Sequence, residues 1–263
     1  MTETGSLDTT CMRSTPDLAP VVEFLGLPGA GKSTIAASLV AELRAKHVDV
    51  RTTDDFVTWL AGRSRFEKVE IVVRSLPRAL TQLWRVLLFA GSLRCSNGLP
   101  MGRVAQLPFV NCCFDRYLRL HKSCVVVMDQ ANMQLVWSVG AYAASYKASA
   151  LDRLCSAACG QAPRLYAFVA ATPDLVTERI RQRPSNASRF DRESESGLQG
   201  ALNASTVLMK DITHCLVRNG ERVMVLDATA SIESNAQALL EAVCETLEEL
   251  AEHSSHSGAC RPC

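Results

Sequence analysis

Apolar positions along the chain follow two different periods. Val21–Leu25, Val48–Thr52, Cys124–Met128, Leu165–Ala170 and Arg222–Leu226 are short and apolar-rich, a pattern that predicts strands buried on both faces. Helical or loop-rich sequence follows each run. Strands alternating with helices predict a five-stranded parallel sheet with helices on both sides, an open α/β domain. From about 56 to 122 the apolar residues recur at helical spacing, which predicts a helical insert between strands 2 and 3 covering one end of the sheet. Residues 1–20 are polar and carry Pro16 and Pro20, and 253–263 lack any period. They read as a loose arm and a mobile tail, leaving 21–252 as the single domain.

Composition narrows the picture by exclusion. Of 263 residues, 48% are hydrophobic and 21% charged, the balance of a globular chain. Lys and Arg number 28 against 27 Asp and Glu, so net charge gives no reason to expect a nucleic-acid or membrane partner. The N-terminus lacks a basic start with an apolar run. The richest apolar stretch, Val69–Gly91, is broken by Glu70, Arg74, Pro77, Arg78 and Arg85, which predicts an amphipathic or buried helix rather than a membrane span. A cytoplasmic protein is expected. Eleven cysteines, an odd number, read as reduced, buried thiols. Cys260 and Cys263 have C-x-x-C spacing without a second ligand pair.

The strongest chemical signal follows the first strand. Gly26, Gly31, Lys32 and Ser33 in GLPGAGKST match G-x-x-x-x-G-K-[ST], and a helical run follows, the context in which such a loop holds phosphates. Gly29 and Gly31 let the backbone wrap with its amides inward, and a helix N-terminus adds positive partial charge. Lys32 is expected to reach the outer phosphates, Ser33 to offer its hydroxyl to Mg²⁺, and Thr34 to contact the inner phosphate. The predicted cofactor is ATP, cradled by Gly26, Pro28, Gly29, Ala30, Gly31, Lys32, Ser33 and Thr34. The competing reading is a turn that merely joins strand to helix.

Two further groups extend phosphate binding toward phosphoryl transfer. Asp129 closes the third strand at the edge where ligands bind in such sheets, and can hold Mg²⁺ or take a proton, or can simply cap the next helix. In PDLVTERIRQRP, Arg179 and Arg183 share a helix face, and Arg189 and Arg192 follow in the loop. These arginines are either a lid over the transferred group or a solvated basic face.

The order of these features resembles the P-loop nucleoside and nucleotide kinases, the thymidylate-kinase branch above others, over about Val21 to Ala251. The segments that carry the likeness are GLPGAGKST, VVVMDQ with the later AYAAS, ATPDLVTERIRQRPSNASRFDR and VMVLDATASIESNAQAL. The resemblance implies a P-loop NTPase fold with an Arg-rich lid at about 183–200. It assigns Lys32, Asp129, Arg183, Arg189 and Arg192 to catalysis, and Arg179 and Arg183 to ATP. It also places Ser33 and Asp129 at the metal, Asp227–Ser231 beside the adenine, and Asp54, Asp55 and Gln130 at the acceptor. The family usually has Arg where this chain has Gln130, and an amide carries no charge for a phosphate. The expected partner is therefore a small phosphate acceptor left unnamed, with no nucleic acid or membrane and with homodimerisation left open. The alternative function is a P-loop ATPase or nucleotide-binding regulator without a small acceptor.

Other residues read as structural. His47, His121 and His214 are isolated. Trp59, Trp84 and Trp137 lie in helical runs and are expected to pack, with a place bordering the acceptor pocket as the alternative for Trp137, near the third strand. Arg116 and Arg119 face either the acceptor or solvent.

Overall fold

The computed structural model describes residues 18–94, 101–141, 145–182 and 195–257, without the side chains of 101–105, 195–196 and 253–257. Strand β1 (Val21–Leu25) runs into α1 (Lys32–Ala45) and β2 (Val50–Thr52). Four helices follow: α2 (Thr53–Ala61), α3 (Arg65–Arg74), α4 (Leu76–Ala90) and α5 (Met101–Leu120). Then come β3 (Val125–Met128), α6 (Asn132–Gly140), α7 (Ala148–Ala158), β4 (Arg164–Ala170), α8 (Pro173–Arg181), α9 (Glu195–Arg218), β5 (Arg222–Asp227) and α10 (Ile232–Ser257).

The five strands are all parallel in the order β2-β3-β1-β4-β5. After β2 the chain returns to lay β3 beside β1, then crosses β1 to form β4. The order therefore reverses around β1, and the crevice beyond its carboxyl end is where an open α/β sheet takes ligands. On one face, Val22, Phe24, Val125, Val127, Leu165 and Ala167 pack against apolar residues of α1 and α10. On the other, Leu25 and Tyr166 lie against α4, α6, α7 and α9, and Val21, Val126 and Met128 against α2 and α5.

Several boundaries differ from the sequence reading. Strand β2 starts at Val50 rather than Val48, because α1 is still closing there: His47 takes a left-handed φ of 62° and the Val48 amide donates to Leu43 O at 3.0 Å. Leu18 and Ala19, placed in the loose arm, are buried, and the Ala19 amide donates to Leu118 O. Helix α10 runs on to Ser257, past the expected start of the tail. The helices between β2 and β3 begin at Thr53, where Thr52 and Asp55 form a capping box. Helices α3 and α4 are one run broken at Ser75, which ends the first and precedes Pro77 in the opening turn of the second. Proline there removes a backbone donor and crowds the preceding turn.

One buried group breaks the apolar pattern of β1. Glu23 is fully buried and pairs with Arg164, also fully buried, at 2.9 Å, while its other oxygen accepts from the Met133 amide at 2.6 Å. Burial pushes the Glu23 carboxyl upward, and Arg164 and the Met133 amide pull it back. Glu23 thus ties β1 to the start of β4 and the first turn of α6. Such a pair contributes little net stability, but losing one member leaves an uncompensated buried charge.

Candidate functional site

The chain leaves β1 through backbone conformations that restrict residue choice. Gly26 has φ 142°, and a Cβ there would sit 2.7 Å from Val169 O. Gly31 has φ 101° and forms the N-cap of α1 without a side-chain cap. The N-cap itself thus supplies no acceptor to the first turn of α1, where the positive end of the helix lies. Lys32 is nearly buried and folds back over the loop, its Nζ donating to Gly26 O at 2.8 Å and Leu27 O at 2.9 Å.

Register sets the second part of the site. Val21–Glu23 pair with Val126–Met128, and Thr52 pairs with Val127. The ends of β1, β2 and β3 thus lie side by side, with Ser33, Thr53 and Asp129 just beyond them. Ser33 Oγ donates to Asp129 Oδ2 at 2.8 Å, and Thr53 Oγ1 donates to Asp129 Oδ1 at 2.7 Å while accepting from the Asp129 amide at 3.0 Å. Both carboxylate oxygens are thereby fixed by hydroxyls from two other elements. Hydroxyl and carboxylate oxygens are hard donors of the kind Mg²⁺ prefers. Among the described residues no group of three or more His, Cys, Asp or Glu gathers as a metal cluster, so a cation here would rest on Ser33 and Asp129.

Beside the loop lies an open cleft of about 260 Å³, lined by Gly29–Gly31, Thr34, Ile35, Arg179, Ala228, Ala230, Ile232 and Asn235. Arg179 spans it, donating from Nη1 to Ala30 O at 3.1 Å and from Nη2 to Ala228 O at 2.9 Å. The loop after β5 is held by Asp227, whose Oδ1 accepts from the Thr229 amide at 2.8 Å and Thr229 Oγ1 at 2.7 Å. Those bonds hold the Asp227 carboxyl below the ordinary range. Asn235 Nδ2 closes the loop onto Asp227 O at 2.8 Å.

The structure thus brings Gly26, Gly29, Ala30, Gly31, Lys32, Ser33, Thr34, Asp129 and Arg179 to one edge, with Pro28 half-buried in the same loop. Asp129 is not a helix cap: α6 starts three residues further on, at Asn132, with Ala131 as its N-cap. Asp55, expected at the acceptor, is committed elsewhere. Its Oδ2 accepts from the Thr52 amide at 2.8 Å and from Thr52 Oγ1 at 3.0 Å, which caps α2. Asp54 and Gln130 are exposed, as are Arg116 and Arg119. Arg183, Arg189 and Arg192 lie outside the described residues, as do Cys260 and Cys263.

The residue that sequence reasoning passed over is Thr53. The T-x-x-D pattern of Thr52–Asp55 marks a helix start immediately after a strand, and that signal would have placed Thr53 at the sheet edge. Trp59 stacks on Phe56 and meets Tyr117 edge to face, and Trp137 is buried with its indole donating to Ser205 O at 3.3 Å. Trp84 departs from expectation and is 63% exposed. His47 and His214 are exposed, and His121 packs on Tyr117. The described cysteines are all free thiols, buried except for the half-buried Cys244. No described helix is long and apolar enough to cross a membrane. No protein-family model matches the chain, and no curated protein matches it.

Proposed function

We propose that the chain is a Mg-ATP-dependent phosphotransferase with a P-loop NTPase fold, similar to the nucleotide kinases of the thymidylate-kinase branch. It would pass the γ-phosphoryl group to a nucleoside, a nucleotide or another small hydroxylated acceptor. The observation that carries this reading is the 2.8 Å hydrogen bond from Ser33 to Asp129. A structural turn has no need to bring the hydroxyl after its lysine onto a carboxylate from a different strand, whereas a cation shared by phosphate and protein needs that pair of oxygens. Strand order, the helices between β2 and β3, and the positive-φ glycines are compatible with the same assignment.

ATP would supply the transferable group and Mg²⁺ the neutralisation of its charge. The chain's own residues have distinct tasks. Lys32 would exchange its carbonyl partners for phosphate oxygens. The amides from Gly29 to Thr34 would bind the inner phosphates, and Ser33 with Asp129 would hold the metal. Arg179 would lie along the nucleotide where it now bridges Ala30 and Ala228. Arg183, Arg189 and Arg192 are proposed to close over the reacting phosphate and exclude water. Gln130 follows Asp129 into solvent and offers an amide to the acceptor, which favours a hydroxylated acceptor over one gripped by its own phosphate.

The test is incubation with γ-labelled ATP, Mg²⁺ and a panel of nucleosides, nucleotides and hydroxylated metabolites, with Lys32→Met as the control. Transfer to one acceptor class, reduced about 100-fold or more in the variant, is expected. Intact ATP binding with no transfer to any acceptor, and hydrolysis that rises only with a protein partner, would replace this reading with that of a regulatory ATPase.

A further inference from the structure

The cysteines take no part in the proposed transfer, and one pair of them is placed for chemistry of its own. Cys155 lies on α7 and Cys215 on α9, two helices that pack against each other within one apolar cluster. Their side chains meet there, the Cys155 thiol donating to the Cys215 sulfur. One turn further along α9, Arg218 donates from Nη2 to Cys215 Sγ at 3.2 Å and to Asp152 Oδ1 at 3.0 Å. Cys215 thus has a thiol and a guanidinium both directed at its sulfur, a setting that favours the thiolate.

The two sulfurs are not equivalent. The hydrogen bond from Cys155 and the Arg218 guanidinium hold the Cys215 thiol below its ordinary range, against burial and the Asp152 carboxylate. The same hydrogen bond, together with burial, pushes the Cys155 thiol up. Burial likewise raises Cys112, Cys113, Cys124 and Cys159. Arg218 is also the way in. Its side chain is 64% exposed, so a molecule as small as a peroxide reaches the buried Cys215 sulfur by displacing one surface side chain.

We propose that Cys215 and Cys155 form a dithiol that hydroperoxides oxidise to a disulfide, cross-linking α7 to α9. The Cys215 thiolate attacks one peroxide oxygen, the O–O bond breaks, and the other oxygen takes a proton and departs as water or an alcohol. This leaves a sulfenic acid on Cys215. The Cys155 sulfur then displaces its hydroxyl, which leaves as water with the Cys155 proton as the S–S bond forms. The two thiols lose two electrons and two protons, and the peroxide is reduced by them.

For the test, the full reduced chain is treated with hydrogen peroxide under native conditions, freed of peroxide, alkylated in denaturant and digested with trypsin. Fragment spectra should join residues 211–218 to residues 154–164 through Cys155. In Cys155→Ala, dimedone should instead trap a sulfenic acid at Cys215. Arg218→Gln should form the cross-link about tenfold more slowly, with circular dichroism unchanged. The wild type decides alone where a variant does not fold. A peroxide-treated wild type whose Cys155 and Cys215 both remain open to alkylation, or whose Cys155 is joined to Cys159, overturns the proposal. So does a Cys155–Cys215 link that forms only in urea, because the packing of α7 on α9 is then not what pairs the two thiols.

Discussion

Two regions of this molecule reverse the usual placement of polar and apolar groups, in opposite senses. Beneath β1, Glu23 and Arg164 are charged and fully buried, while on α3 and α4 Phe66 and Trp84 are apolar and mostly exposed. The buried charges neutralise each other inside the chain, and the Met133 amide takes the second Glu23 oxygen, although Arg164 Nε and Nη2 keep no hydrogen-bond partner. The exposed apolar groups find no cover in it. An inversion closed internally serves the fold, since it fixes the start of α6 against the strand that leads into the glycine-rich loop. An inversion left open is an invitation to another surface.

Removing one of the buried charges should break the closed inversion with the largest effect. Arg164→Met leaves Glu23 buried without its cation, and a loss of about 3–5 kcal/mol is expected by urea unfolding. The pH dependence has a definite sign. Without Arg164 the Glu23 carboxyl, already raised by burial, rises further, so the native state holds its proton while the unfolded chain releases it. The variant is then least destabilised below the ordinary glutamate value of 4.5 and loses stability as pH rises above it. A deficit independent of pH would mean that Glu23 is not the group left behind.

Gly26→Ala comes next. Its Cβ would sit 2.7 Å from Val169 O at a φ of 142°, which combines steric and backbone strain of about 2–4 kcal/mol. Thermal unfolding measures the stability, and ATP binding should weaken along with it. If the variant matches the wild type, the loop after β1 is less fixed by the sheet than its contact with β4 indicates.

Thr53→Val tests the point where the sheet edge and the intervening helices meet. Valine keeps the shape but loses both bonds to Asp129, and a fall of about 10–100-fold in Mg²⁺ affinity or in turnover is expected with stability nearly unchanged. An unaltered Mg²⁺ dependence would remove Thr53 from the site.

The smallest effect belongs to the cap of α3. Arg63 and Ser64 hold the Glu67 carboxyl down to about 2 from 4.5. Its stabilisation of the helix is therefore full above 4.5 and disappears as pH falls through about 2. Glu67→Gln should lower the far-ultraviolet helical signal slightly at neutral pH, and the two proteins should converge in acid.

Much of this arrangement was legible before the structure. The apolar runs marked every strand, because strands of a parallel sheet covered on both sides need unbroken apolar sequence. Lys32, Ser33 and Asp129 were legible because motif and strand end coincide. Thr53 was not, since its role comes from the neighbouring ends of β2 and β3, which is a matter of register rather than of local pattern. Asp55 shows the reverse: a carboxylate beside a strand end reads as a ligand, while the capping box that uses its Oδ2 is just as local. Glu23 was hidden in VVEFL because its cation lies 141 residues away. The exposure of Trp84 was equally hidden, because α4 is apolar on two sides and periodicity does not tell which side is covered.

The ammonium of Lys32 is already engaged with the carbonyls of Gly26 and Leu27. An arriving anion must therefore outbid two bonds that the empty loop makes with itself. On the proposed function, a single phosphate ion would offer little beyond that exchange, whereas a chain of phosphates would also collect the amides along the loop. The loop would then act as a length gauge, favouring a polyphosphate long enough to reach from Lys32 to Thr34 over a short anion.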